Sequence, residues 1–255
     1  MSRRVRTWVF VISCLAAAGL LCWGVMGLPP YGHYRGAYGT IIDRSTVAET
    51  GATNAVSAVV FDYRGMDTMV EEFIFFTAVI GTALLLRVQR EEAEEPPSDE
   101  SPERDVPGVS QAVQAGGLFV VATTFLFGIY MIAHGHLTPG GGFQGGVILG
   151  TAIFTIHLAG DFGAMTRTVP HSVVDALEPA GAASYVFVGL AAVALGAAFL
   201  TNVLPEGVRG TLQSAGTMPV LNAVVGLEVG AGVAVIVFEM LAQTLTVREK
   251  PGVPS

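Results

Sequence analysis

Six runs of predominantly apolar residues, each 17 to 23 residues long, recur along this 255-residue chain. They are Trp8 to Gly27, Val70 to Val88, Val113 to Ala133, Phe143 to Ala159, Ala180 to Leu200 and Pro219 to Leu241. Crossing the hydrocarbon core of a bilayer takes about 20 such residues in a helix, and in lipid a continuous helix satisfies every backbone polar group internally. The pattern therefore predicts an all-α integral membrane protein with about six transmembrane helices, the run from Phe143 being the shortest. Composition agrees: 13% of residues are charged, against about 25% in a soluble domain.

Arg3, Arg4 and Arg6 precede the first run. Its apolar core is longer than the roughly 7 to 15 residues of a cleavable signal, and no small-residue cleavage site follows, so it reads as a retained anchor. With the amino terminus inside and the runs alternating, nine Lys or Arg fall inside and four outside (Arg35, Arg44, Arg64 and Arg209). That bias predicts a multi-pass protein of the cell membrane with both termini cytoplasmic.

The net charge of −8 is local: Glu91 to Asp105 holds eight carboxylates and one Arg. With Pro96, Pro97, Pro102 and Pro107 in or beside it, this stretch reads as a disordered acidic tether. The chain is thus expected to comprise a two-helix module over 1–90, a linker over 91–109, a four-helix module over 110–247 and a cytoplasmic tail over 248–255. Cys14 and Cys22, about 12 Å apart along one helix, are too distant to pair. They also cannot hold an iron–sulfur cluster.

The stretch His134 to Gly146, HGHLTPGGGFQGG, joins two of the runs. Pro139 stops the preceding helix, and Gly140, Gly141, Gly142, Gly145 and Gly146 permit sharp turns and close approach. Gly140, Gly142 and Gly145 have dinucleotide-site spacing, but the required preceding strand is missing and no P-loop lysine follows. His134 and His136 are two ligands where zinc needs three or four, so no metal is expected. The favoured reading is a tight interfacial turn with headgroup-level histidines. Beyond it, Gly142, Gly146 and Gly150 form a small-residue stripe that suits helix packing at a subunit contact. His157 and Asp161, one turn apart, can touch at the far end of that helix.

Carboxylates at membrane depth carry the strongest functional signal. In the first module, Asn54 to Tyr63 is too short to span and suits a helix in the interface or against a neighbour. Thr68 and Glu71 have capping-box spacing for the following helix, and Asp67, Glu71 and Glu72 crowd its start. In the last run, Glu228 and Glu239 lie 11 residues apart, within about 20° of one face and about 16 Å apart along the axis. Glycines 226, 230 and 232 allow close approach around Glu228.

Two strings carry a family resemblance. Asn54 to Glu72, NAVSAVVFDYRGMDTMVEE, together with LPPYG from Leu28, resembles the MbhE-like module at the carboxyl end of the large A-type component of Mrp (Mnh) sodium/proton antiporters. HGHLTPGGGFQGGVILGTA from His134 and LNAVVGLEVGAG from Leu221 resemble the MnhB family, the B-type component of the same complexes. The matching positions are Asp62, Arg64, Gly65, Asp67, Thr68 and Glu71, then Gly135, His136, Pro139 to Phe143, Gly145 and Gly146. Leu137 and Thr138 stand where the MnhB family more often has Asn and Ala.

The resemblance implies an accessory subunit of a hetero-oligomeric cation/proton antiporter, or of a related respiratory membrane arm. Its partners would be the other subunits, the bilayer, sodium ions and protons, with no nucleic acid, no cofactor and no catalytic site of its own. No apolar run contains an intramembrane Lys, so a self-sufficient antiporter is not expected. Asp67, Glu71, Glu228 and Glu239, with His157 and Asp161, are the candidate ion-path or charge-pairing residues; the alternative is a scaffold that touches no ion.

Overall fold

The computed structural model describes residues 3–28, 36–87 and 109–248. The acidic run Glu91 to Asp105, the prolines of LPPYG and the tail beyond Arg248 lie outside them. Among the described residues all regular structure is helical.

Residues 1–41 form one compact unit. Within it α1 (Arg3–Met26) is apolar on every face, with Trp8, Phe10, Leu15, Leu21 and Trp23 exposed, as a lipid-facing helix must be. Cys14 and Cys22 are free.

The second unit covers residues 42–255 and takes in helices from both sides of the acidic run. Helix α2 (Ala37–Thr50) enters it and lies in a stretch where the hydropathy pattern marks no helix. Its buried Thr46 and Thr50 hydroxyls donate to the carbonyls of Ile42 (2.6 Å) and Thr46 (2.7 Å), so neither polar group is left unpaired. Gly51 ends it at φ +68°, the left-handed conformation that glycine adopts at least cost. Asn54 then caps α3 (Ala55–Ala58), its Oδ1 accepting from the Val56 N–H at 3.1 Å.

A π-helical turn, Val59–Tyr63, follows, closed by the Arg64 N–H to the Val59 carbonyl at 2.8 Å. Ala58 and Phe61 are buried in the apolar core, so this stretch packs inside the protein rather than lying along the interface. Helix α4 (Gly65–Leu86) starts directly after it. Thr68 is not its cap: the hydroxyl donates back to the Val60 carbonyl at 2.6 Å, one turn inside the helix, and Glu71 completes no capping box.

Four further long helices complete the bundle: α5 (Gln111–Ala133), α6 (Gly142–Ala159), α8 (His171–Ala194) and α9 (Met218–Arg248). Short α7 (Phe162–Thr168) joins α6 to α8 and is capped by Asp161, whose Oδ1 accepts from the Ala164 N–H. The fifth span begins at His171, nine residues before the apolar run, because Pro170 starts a helix well and Val173, Val174 and Leu177 extend the apolar face. Among the described residues six helices are long and apolar enough to cross a membrane.

Helix α9 is the axis of the bundle: 61% of its span is buried, against 33% or less for the others. Its flanks explain this. Gly142, Gly146 and Gly150 of α6 face it so closely that a Cβ at Gly146 would lie 2.8 Å from Val229 Cβ and 2.9 Å from the Gly226 carbonyl. The small-residue stripe is therefore spent within the chain and is not a subunit contact. One core cluster, with Phe61, Tyr185, Met218, Leu221 and Val225, lies toward the end bearing the 134–141 loop. A second, with Val79, Met165, Val174 and Phe238, lies toward the opposite end.

Candidate functional site

The two sequence strings meet at Asn54. Its Nδ2 donates to the carbonyls of Gly135 (2.7 Å) and Thr138 (3.0 Å). The backbone N–H groups of Thr53 and Asn54 both donate to the His136 carbonyl at 3.1 Å, and the Thr53 hydroxyl donates to the Leu137 carbonyl at 2.6 Å. The 134–138 turn is thereby held without a regular ladder. Asn222 of α9 secures the next step, accepting from the Gly142 N–H at 2.9 Å at the start of α6.

His134 stacks on Tyr130 with ring centroids 4.2 Å apart. His136 is not at headgroup level: it is fully buried, with Nε2 3.3 Å from the Thr211 carbonyl and Nδ1 unpartnered. Burial holds its pKa below the usual histidine value, so the ring is neutral. Pro139 and Phe143 stay at the surface, whereas Gly141, Gly142, Gly145 and Gly146 are buried.

The bundle interior carries carboxyl groups from three helices. Glu72 of α4, Glu178 of α8 and Glu228 of α9 are at most 4% exposed. Oε2 of Glu72, Oε1 of Glu178 and both oxygens of Glu228 have no hydrogen-bond partner. Glu72 and Glu178 are the ionisable neighbours of Glu228. The backbones are drawn together here by glycine, since a Cβ at Gly181 would lie 2.6 Å from Glu228 Cβ. Along the axes, Glu72 sits about 10 Å into α4 and Glu228 about 15 Å into α9 from the same end, with Glu178 one turn beyond Gly181.

The row ends in an ion-pair cluster at the opposite end of the bundle. Arg87 donates through Nε to Glu239 at 2.7 Å and through a terminal nitrogen to Asp175 at 2.9 Å. Those two hydrogen bonds, Asp175's first, hold the guanidinium firmly in its charged form. Glu239 thus has a basic partner from this same chain, which the hydropathy pattern conceals because Arg87 lies at the very end of an apolar run.

Of the predicted ion-path residues, only Glu228 and Glu239 are buried. Glu71 is exposed while its neighbour Glu72 points inward, on the face shared with Gly65, Thr68 and Val79. Asp67 is exposed and paired with Arg64. His157 and Asp161 do not pair: Asp161 caps α7 and lies 3.9 Å from Arg167, while the His157 ring packs between Phe154 and Phe162 and its Nδ1 has no partner. Sequence reasoning misses Glu178, which lies ahead of the apolar run assigned to its helix. Its signal is the spacing of Glu178, Gly181, Tyr185, Gly189 and Ala192, which is one helix face.

Among the described residues no three His, Cys, Asp or Glu side chains converge tightly enough for a metal. The carboxyls are spaced as successive positions along the bundle. A carboxylate buried in a membrane protein is costly unless it is protonated, paired or bound to a cation, and such residues mark ion and proton paths.

Fold and site together define a multi-pass membrane protein with a polar interior. The family described as a domain related to the MnhB subunit of Na+/H+ antiporters matches residues 113–235. A chain of the membrane-bound sulfane sulfur reductase, an archaeal respiratory membrane complex, superposes with a TM-score of 0.72 at 30% identity, covering 93% of this chain and 98% of that one. An uncharacterized protein of Methanocaldococcus jannaschii is 29% identical over 221 residues, 77% of this chain and 80% of the relative. The B-type component of the Na+/H+ antiporter of Bacillus subtilis is 35% identical over 77 residues, covering 30% of this chain and 53% of that protein. A chain of the Mrp complex from Dietzia shares the fold, with a TM-score of 0.68 at 23% identity, over 95% of this chain and 26% of that one. Residues 113–235 thus carry the MnhB-related domain.

Proposed function

We propose that this chain is an accessory subunit of a hetero-oligomeric Mrp-type antiporter complex, which exchanges sodium for protons, and that it forms part of the ion path. The observation that carries the reading is the row of unpartnered buried carboxyls Glu72, Glu228 and Glu178, leading toward Glu239 and Arg87. A scaffold with no ion contact has no need of three such groups, since apolar residues would pack the same space at less cost. Glu71 and Asp67 stand at the outer end of the row, and the chain supplies transport groups rather than a catalytic site.

The basic-residue bias supports both termini in the cytoplasm of a plasma-membrane protein. The arrangement of two modules joined by an acidic tether is part of the same proposal. It is supported by the likeness to the respiratory-complex chain, which extends over 93% of this sequence. That likeness also favours a second reading, a membrane-arm subunit of a redox-driven complex. Exchange that runs on a sodium gradient alone, with no electron donor, separates the antiporter from it.

The test is sodium/proton exchange in everted vesicles carrying the whole complex, with assembly followed on a native gel. For Glu228→Gln we expect exchange to fall at least tenfold with assembly intact. Unchanged exchange would place Glu228 off the path, and loss of the complex would make the chain a scaffold.

A further inference from the structure

The outer end of the carboxyl row opens into a cavity of about 320 Å³, lined by α3, the π-helical turn, the start of α4, the 140–144 segment and α9. This is room for several water molecules. Its oxygen-bearing walls are Ser57, Thr68, Glu71, Glu72, Gln144 and Asn222. Four of these are spoken for only in part. The Thr68 hydroxyl donates to the Val60 carbonyl and keeps its lone pairs. Asn222 accepts from the Gly142 N–H and donates toward Ser57 Oγ at 3.4 Å, and Ser57 itself is buried. Glu72 is 4% exposed and its Oε2 has no partner at all. The glycines make the space: a Cβ at Gly141, whose φ of +150° already favours glycine, would lie 2.8 Å from the Gln144 side-chain oxygen.

We propose that this chamber is a binding site for one partly dehydrated monovalent cation, with the Glu72 carboxylate as the charged ligand and neutral side-chain oxygens as the rest. The inference rests on the antiporter reading above and names the site at which the cation is first held. All the available donors are hard oxygens, which suit alkali and alkaline-earth ions. Glu72 is the one buried carboxylate in the wall and matches one positive charge, while the second wall carboxylate, Glu71, is exposed and screened by solvent. An apolar occupant such as a lipid tail would leave Glu72 buried and unpaired, the costly arrangement. From here the next carboxyl inward is Glu228, so a cation leaving Glu72 has a successor.

The experiment measures ²²Na+ binding to the detergent-purified complex, and the sodium concentration for half-maximal exchange in vesicles, for wild type, Glu72→Gln, Glu72→Asp and Gln144→Leu. The site requires saturable binding lost in Glu72→Gln, a half-saturation value raised at least tenfold there, partial recovery in Glu72→Asp and a several-fold rise in Gln144→Leu. A purely structural Glu72 would instead lower the maximal rate or the yield of complex and leave half-saturation alone. Should Glu72→Gln fail to assemble, exposed Gln144 decides: unchanged half-saturation in Gln144→Leu overturns the site. Wild-type exchange with unaltered sodium affinity in every variant removes the chamber but keeps the antiporter. A wild-type complex with no sodium-dependent exchange removes the antiporter reading itself.

Discussion

Asn54 donates to the carbonyl of Gly135 at 2.7 Å, across 81 residues of sequence, and this contact sets one of the two distinctive strings against the other. Asn54 is 8% exposed; its bond to the Gly135 carbonyl is buried and its bond to the Thr138 carbonyl is half-buried, so both acceptors depend largely on it. Asn54→Leu leaves two acceptors unpaired, each worth about 1 to 3 kcal/mol. The expected outcome is a fall in the thermal midpoint of the purified complex and reduced recovery after detergent extraction. An unchanged midpoint would show that the turn does not depend on this side chain.

At the other end, Arg87 joins Glu239 to Asp175, and only Glu239 is deeply buried, at 5% side-chain exposure against 47% for Arg87. Half of the pair is solvent-screened, so Arg87→Gln is expected to cost about 1 to 3 kcal/mol, less than a fully buried pair. Adding Glu239→Gln to that variant is expected to recover most of the loss, because it removes the stranded charge. Chemical or thermal unfolding of the four members of this double-mutant cycle measures the coupling. Strictly additive effects would mean that the pair contributes nothing.

Gly146 and Gly81 are both helical glycines in different surroundings. A Cβ at Gly146 meets Val229 at 2.8 Å, whereas one at Gly81 meets nothing within 4 Å. Gly146→Val is expected to force α6 off α9, with an overpacking cost of about 1 to 3 kcal/mol and poor assembly. Gly81→Ala is expected to leave thermal stability unchanged or slightly raised, since alanine is the better helix former. Equal behaviour of the two variants on a native gel would contradict the packing.

His136 is buried with its pKa below the ordinary value near 6.5, burial being the main cause and His134 a minor one. The unfolded chain therefore takes up a proton that the folded chain refuses. Its contribution to stability is fully present above pH 6.5 and is lost progressively as the pH falls below that value. Thermal midpoints measured from about pH 8 to about pH 5 are expected to fall on the acid side. In His136→Gln this component of the slope is expected to disappear; an identical slope in the variant would assign the acid sensitivity to other groups.

How much of this is legible beforehand depends on the range of the interaction. Hydropathy over 17 to 23 residues locates six spans, because the bilayer imposes the same length and polarity on every crossing helix whatever it packs against. The local strings are distinctive enough to point to the MnhB-related family, and the isolation of Cys14 from Cys22 follows from helix rise alone. Glu228 is visible as a carboxylate in mid-span, where the insertion cost by itself demands an explanation.

What only the tertiary structure decided is which side of each helix faces inward. Glu71 and Glu72 are adjacent and chemically alike, yet one is exposed and the other 4% exposed. The π-helical turn and the Thr68–Val60 hydrogen bond set the rotation of α4, and neither shows in a hydropathy pattern. The glycine stripe of α6 could serve a neighbour or this chain; the choice was made by α9, which offers Val225, Val229 and Val233 at matching spacing. Arg87 meets Glu239, 152 residues away, only after both helices are in place. Periodicity records the demand of lipid on each helix separately, and the polar row exists only where three of those helices turn their least lipid-tolerant faces toward one another.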